Sequence, residues 1–281
     1  MKRFFIMAIM AFAAMLANAQ IIKIFIPQDA EPGIPIDTMR YSISYKMTFV
    51  NDTSNNPKAS WVETMVLESG RHSSYFASLK DMQADSINAE VMKKGGNQYN
   101  GGGAVSWRIY KNYPSKGQFS YLENFATDRF VCTDKFDVPA WSLVADSSST
   151  VLGYPCHLAK ASYRGRIWFA WYSDDIPLDE GPWLLGGLPG LILKAYDAPR
   201  HYQFEAIGMA NGNGKQPIMY KGAKFEKVSR RDMNALYKVY YADPVGYITG
   251  SGKTKVIIKD ENGNEKKGPT NQPYNLIDRQ K

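Results

Sequence analysis

From Arg40 the chain alternates cleanly. Tyr41, Ile43, Tyr45, Met47 and Phe49 are apolar, and Ser42, Ser44, Lys46 and Thr48 between them are polar. A period of two over nine residues predicts a half-buried strand. WVETMVLES reads as the returning strand and SSYFAS as a weaker third. WRIYKNY and GQFSYLENF predict an aromatic hairpin across PSKG. RFVCTD, WSLVADS and TVLGY follow as short strands. CHLAKASY and RIWFAWYS pair across Arg164-Gly165, and LILKAYD with YQFEAIGMA forms the next pair. Two stretches carry a helical period instead. In 79–94, Leu79, Met82, Ile87 and Val91 fall on one side, predicting an apolar core-facing stripe. Near the end, Ser229 can cap a helix with Asp232 three residues later, and Met233, Leu236, Tyr237, Tyr240 and Tyr241 form its stripe before Asp243-Pro244 stops it.

Many short strands with close turns, few helices and no Pro/Ser linker predict one mainly β, α+β domain: a curved antiparallel sheet, half-barrel-like, with one or two packed helices. Its expected bounds are residues 20–249. Residues 1–19 read as a secretory leader, with Lys2 and Arg3 ahead of the apolar run Phe4 to Leu16 and Ala17-Asn18-Ala19 as the cleavage site before Gln20. That run is shorter than the roughly 20 residues a spanning helix needs. The protein is therefore expected to be exported: periplasmic, outer-membrane-associated or secreted, with no transmembrane segment after cleavage. Residues 250–281, polar and glycine-rich, are expected to be a partly disordered basic tail.

Charge narrows the partners. The formal net charge is +7, and removal of residues 1–19 takes it to +5, of which +3 lies in 250–281. The body is close to neutral, which argues against a nucleic-acid face. The 18 tyrosines suit a β-rich exported protein. The two cysteines, Cys132 and Cys156, are a candidate disulfide in an oxidising compartment, with two buried thiols on separate strands as the alternative.

The stretch GPWLLGGLPGLILKAYD at 181–197 invites a catalytic reading that its residues do not support. It lacks the Gly-Lys-Ser/Thr ending of a phosphate loop, and it holds no hydroxyl nucleophile. Leu188-Pro189-Gly190-Leu191 has Pro and Gly at the central positions of a type II turn, with Gly190 taking the positive φ. Gly186 and Gly187 would let a neighbour approach closely.

With its flanks Gly153-Tyr154-Pro155-Cys156, Arg166 to Tyr172, Ile176-Pro177 and Gly181-Pro182-Trp183, this segment resembles the GLPGLI family of exported bacterial proteins, through Gly187, Leu188, Pro189, Gly190, Leu191 and Ile192. The resemblance is strong over about 141–197. It implies an envelope or secreted β-rich protein of unknown function and carries over no catalytic residue; the half-barrel of periplasmic lipoprotein carriers is the fold analogy. The ending YNLIDRQ departs from the family's usual Asn-Pro-containing close.

No catalytic, cofactor or metal set emerges. Cys156 and His157 are neighbours on a strand and point to opposite faces. His72, His157 and His201 lack zinc spacing. Asp174, Asp175, Asp179 and Glu180 crowd one loop without an ordered calcium-ligand spacing. Trp168, Trp171, Tyr172 and Trp183 are the candidate binding surface, weighed against plain core packing. The expected function is a non-enzymatic binding or interaction module that takes an apolar ligand or another envelope protein, with no cofactor. The alternative is a hydrolase of envelope or extracellular polymers that uses carboxylates of the 174–180 loop.

Overall fold

The computed structural model describes residues 33–54, 59–96, 101–126, 128–250 and 264–280, with short strands at 7–10 and 255–259. The rest of the leader read at 1–19, and the apolar start at 21–26, lie outside the described residues.

Twelve strands form one sheet: β1 Tyr41–Phe49, β2 Trp61–Ser69, β3 Ser74–Ser78, β4 Arg108–Lys111, β5 Gln118–Phe125, β6 Asp128–Lys135, β7 Ser142–Val151, β8 Tyr154–Tyr163, β9 Arg166–Ser173, β10 Leu191–Asp197, β11 Tyr202–Asn211 and β12 Glu226–Lys227. Their order is β12-β6-β5-β4-β3-β2-β1-β11-β10-β9-β8-β7. Two antiparallel meanders, β1–β6 and β7–β11, are joined by the pairing of β1 with β11. Only the two-residue β12 runs parallel to its neighbour. The expected mainly β fold is thus what forms. The sheet curls without closing into a barrel: Arg164, in the turn after β8, donates to Lys135 O at the end of β6.

The alternation in β1 sets the inner face. Ile43, Tyr45 and Met47 are fully buried there with Met65, Leu67, Phe76, Ile109 and Phe119 of the neighbouring strands, while Lys46 is exposed. Arg164 and Gly165 take φ of 47° and 74°, the primed-turn geometry that matches strand twist. A smaller cluster on the outer face gathers Tyr75, Tyr110, Leu122 and Val131 under the antiparallel pair of strands Ile34–Thr38 and Pro217–Tyr220.

Helices α1 (Leu79–Lys93), α2 (Arg230–Ala242) and α3 (Pro244–Gly250), with a three-stranded sheet of Met7–Met10, Lys255–Lys259 and Glu265–Lys266, complete the described elements. α2 matches its pattern: the Ser229 hydroxyl accepts from Asp232 N at 3.1 Å, and Met233, Tyr237 and Tyr240 are buried. α1 forms where expected but turns the other way. Ile87 is 49% exposed, and the buried stripe is Asp81, Ala84, Asp85 and Asn88. The reason lies on β4, whose Arg108 forms an ion pair with Asp85 at 3.0 Å; Lys221 reaches the same carboxylate at 2.5 Å, and Gly103 N donates to Asp81 at 2.7 Å. A fixed cation on the sheet pulls the acidic face inward and outweighs the modest apolar gain on the opposite face.

Residues 174–190 plug the inside of the curl. Trp183, Leu184, Leu185, Leu191, Ile192 and Leu193 are fully buried, each worth about 1.5–3 kcal/mol as an upper bound. Irregular backbone at that depth needs partners. Lys111, 1% exposed, donates to Gly181 O and Leu185 O at 3.0 and 3.2 Å and pairs with Glu180. Trp141 donates to Gly186 O at 2.7 Å, Tyr45 to Ile192 O at 2.8 Å, and Gly187 N to the Asp179 carboxylate. Leu188, Leu191 and Ile192 of the hexapeptide are buried, but the type II turn is corrected. Positive φ falls on Gly187, at 82°, and Gly190 is absent from that region. Gly190 is needed because a Cβ there would stand 2.0 Å from Ser173 O.

The C-terminal segment is the second correction. Within the expected loose tail, Asn275, Ile277 and Asp278 are buried. Arg166, itself paired with Asp197, donates to Ile277 O at 2.8 Å, Asn275 Oδ1 at 2.8 Å and Leu276 O at 2.5 Å. Arg164 pairs with Asp278 at 2.9 Å, and Tyr202 OH donates to Asn275 O. Residues 274–280 are therefore a strap inside the domain, so the boundary expected at 249 does not separate them from it.

Candidate functional site

α2 and the strap cross one end of the curled sheet and leave a small cleft, partly open to solvent. Each wall follows from local structure. α2 turns Arg230, Asn234, Tyr237 and Tyr241 toward it, positions i, i+4, i+7 and i+11 of one face. β5 presents Tyr121 and Glu123, which alternate inward with Phe119 and Phe125. The strap supplies Tyr274 and Asp278, and the segment before β4 supplies Ser106 and Trp107.

The rings are ordered. Tyr237, Tyr241 and Tyr274 lie nearly parallel, with 14° between Tyr237 and each of the others and 24° between Tyr241 and Tyr274, whose centroids are 4.9 Å apart. Trp107 and Tyr121 are also near-parallel, at 23°. Glu123, 3% exposed, accepts from Ser106 at 2.5 Å, from Asn124 N at 3.0 Å and from Tyr237 OH, and Tyr237 OH and Tyr121 OH are 2.8 Å apart. Burial, then the negative charge of Glu123, holds the Tyr121 and Tyr237 phenols well above the ordinary range, and Tyr240 is pushed up to about 12 by the same causes. These hydroxyls stay protonated and serve as hydrogen-bonding groups.

The surface read from sequence dissolves. Trp168 and Trp183 are fully buried, 5.5 Å apart, and Tyr172 is 4% exposed; all three are core. Trp171 is half-buried on the outer face opposite Lys194. Nearby outer rings are already covered: Phe169 stacks on Tyr196 at 5.3 Å, with Lys160 over the one and Arg200 over the other. The candidate bridge is absent. Cys132 on β6 and Cys156 on β8, strands second from opposite ends of the sheet, are free, buried thiols whose ionisation is raised by burial. The loop carboxylates do not converge either. Glu180 is taken by Lys111, Asp179 by Gly187 N, and Asp174 is exposed 3.7 Å from His157. No group of three or more His, Cys, Asp or Glu suited to a metal occurs among the described residues, and no described helix is long and apolar enough to cross a membrane.

A family model described as "Protein of unknown function (Porph_ging)" matches residues 157–194. That span takes in the hexapeptide and agrees with the GLPGLI resemblance at the level of a domain of unknown function. No curated protein matches the chain. Two solved structures of PNGF-II, in space groups P21 and C2, are similar at 14% and 13% identity over 70% and 72% of this chain, with TM-scores of 0.45 and 0.47. The match spans 33% of each PNGF-II chain, and a likeness this weak decides nothing about activity.

The cleft residues were in view in the sequence, but only as packing. Tyr237 and Tyr241 belonged to the apolar stripe of α2. The signal passed over was polar: Arg230 and Asn234 stand on the same helix face, and a stripe that mixes a cation, an amide and phenols is not plain core.

Proposed function

We propose that this chain is an exported binding module that holds a small ring-bearing ligand in the tyrosine cleft. The observation that carries the reading is the cleft itself: parallel phenol rings around a buried, hydrogen-bonded carboxylate, partly open to solvent. Concave sites with apolar walls and a few placed polar groups are where small ligands bind. The lining refines the apolar ligand expected from sequence, because a purely apolar body would leave the buried Arg230 donors at the wall without an acceptor. The leader pattern supports export to the envelope or beyond, and intact-mass measurement of protein from its native host should find Gln20 as the first residue. Nothing favours the hydrolase alternative, since the 174–180 carboxylates are spent on structure or lie apart.

The test is an NMR screen of ring-containing fragments at millimolar concentration. Hits should shift the Trp107 indole and the amides of 104–107, and Tyr274→Ala should abolish those shifts. A library without one hit in the cleft would sink the reading.

A further inference from the structure

Resting on the cleft as the ligand site, its lining also bears on what the ligand is made of. Arg230 decides. Its Nε and Nη2 are buried, and no acceptor among the described residues lies within hydrogen-bond reach of them. Asp278 stands 3.8 Å from Nη2, and the guanidinium rests on the rings of Tyr121 and Phe119 at 5.1 and 5.6 Å. Buried donors without an acceptor are rare in folded proteins, and at the wall of a cleft they call for one on the ligand.

Three ligand chemistries can be compared. A free carboxylate or phosphate would meet Arg230, but Glu123 and Asp278 share the lining and would repel it. An unsubstituted ring would stack on the phenols and leave the Arg230 Nε and Nη2 donors without an acceptor. A neutral ring bearing several hydroxyls fits both demands. Its oxygens accept from Arg230 and from the amide NH₂ groups, its hydroxyl protons go to amide oxygens, and its C–H face lies against the exposed side of the stacked phenols. We infer that the cleft binds a neutral saccharide unit, oriented by Arg230 and Asn234 and resting against the stacked tyrosines of its wall.

The experiment titrates the purified protein with glucose, galactose, N-acetylglucosamine and cellobiose, and separately with cyclohexanol and benzoate, reading the Trp107 indole. At least one saccharide should saturate at a concentration tenfold or more below either control. Arg230→Met should weaken it at least tenfold and Asn234→Ala at least threefold, with the melting temperature of each variant checked alongside. If Arg230→Met does not fold, Asn234→Ala decides. Cyclohexanol or benzoate binding as tightly as the best saccharide would overturn the saccharide assignment and leave the ring site standing. So would ring fragments that bind while all four sugars stay silent. Silence from sugars and fragments alike would remove the cleft reading itself.

Discussion

Two irregular segments run inside this molecule, the plug at 174–190 and the strap at 274–280, and they are held in the same way. Each is gripped by buried cations from the sheet side: Lys111 takes two plug carbonyls and Glu180, while Arg166 takes two strap carbonyls, Asn275 and Asp197, and Arg164 takes Asp278. A buried phenol adds to each grip: Tyr202 donates to Asn275 O of the strap, and Tyr45 donates to Ile192 O at the start of β10, just past the plug. The solution is common because the problem is: carbonyls without a strand partner inside a core need charged or phenolic donors, or they cost free energy. The segments differ in how they announce themselves. The plug carries glycine, proline and leucine in a recognisable run, while the strap looks like a polar chain end.

The largest effect expected is on the strap. Arg166→Met leaves Asp197, fully buried, without its cation, and should cost about 3–5 kcal/mol in denaturant unfolding. Truncation after Pro273 should cost a similar amount. The two changes combined should fall well short of additive, because they break one network; full additivity would mean that the arginine and the strap act separately. Lys111→Met is the matching test of the plug. Glu180 keeps a side-chain exposure of 14%, so the loss should be smaller, roughly 3 kcal/mol. A larger loss than for Arg166→Met would reverse the ranking.

Gly190→Ala drives a methyl into the Ser173 backbone and should destabilise by about 2–3 kcal/mol. Gly187→Ala strains a positive φ and sets the new methyl 2.7 Å from Val138 Cβ, a side chain rather than a backbone oxygen, and should cost about 1–2 kcal/mol. Equal melting temperatures for these two variants would contradict the separation of close approach from φ.

The phenols give a pH test of both segments at once. Burial raises Tyr45 and Tyr202, with Glu180 adding to the rise at Tyr45. In the unfolded chain they ionise near 10, so above that pH the unfolded state has lost protons that the folded state retains. Their stabilisation is complete below about pH 10 and is lost as pH climbs toward the folded values, by about 1.4 kcal/mol per unit per phenol. Absorbance at 295 nm should therefore rise together with loss of far-UV ellipticity; early phenol ionisation without unfolding would speak against both ties. The smallest change expected is chemical. Native protein should show no reactive thiol and denatured, unreduced protein two, since Cys132 and Cys156 are free and buried. Zero in the denatured state would restore the bridge.

Legibility followed the kind of interaction. β1 was readable because its partner rows, β2 and β11, bury the face that its own alternation marks. α2 was readable because Ser229 and the tyrosine stripe are local. α1 misled, since what it faces, Arg108, lies on a strand fifteen residues beyond its end. The cleft was not legible, because it is assembled from α2, β5 and the strap, and spacing alone cannot tell a phenol that lines a cleft from one that packs in a core.

By itself the sequence determined the local items: the strands by alternation, the start of α2 by its capping serine, and a glycine-rich segment that bends backbone. Only the tertiary structure decided which cations turn inward, which glycine is squeezed rather than twisted, where the chain end goes and where a cleft remains. Backbone propensity and side-chain period act over a few residues, whereas a buried charge takes its partner from wherever the fold brings an opposite charge or a carbonyl into reach.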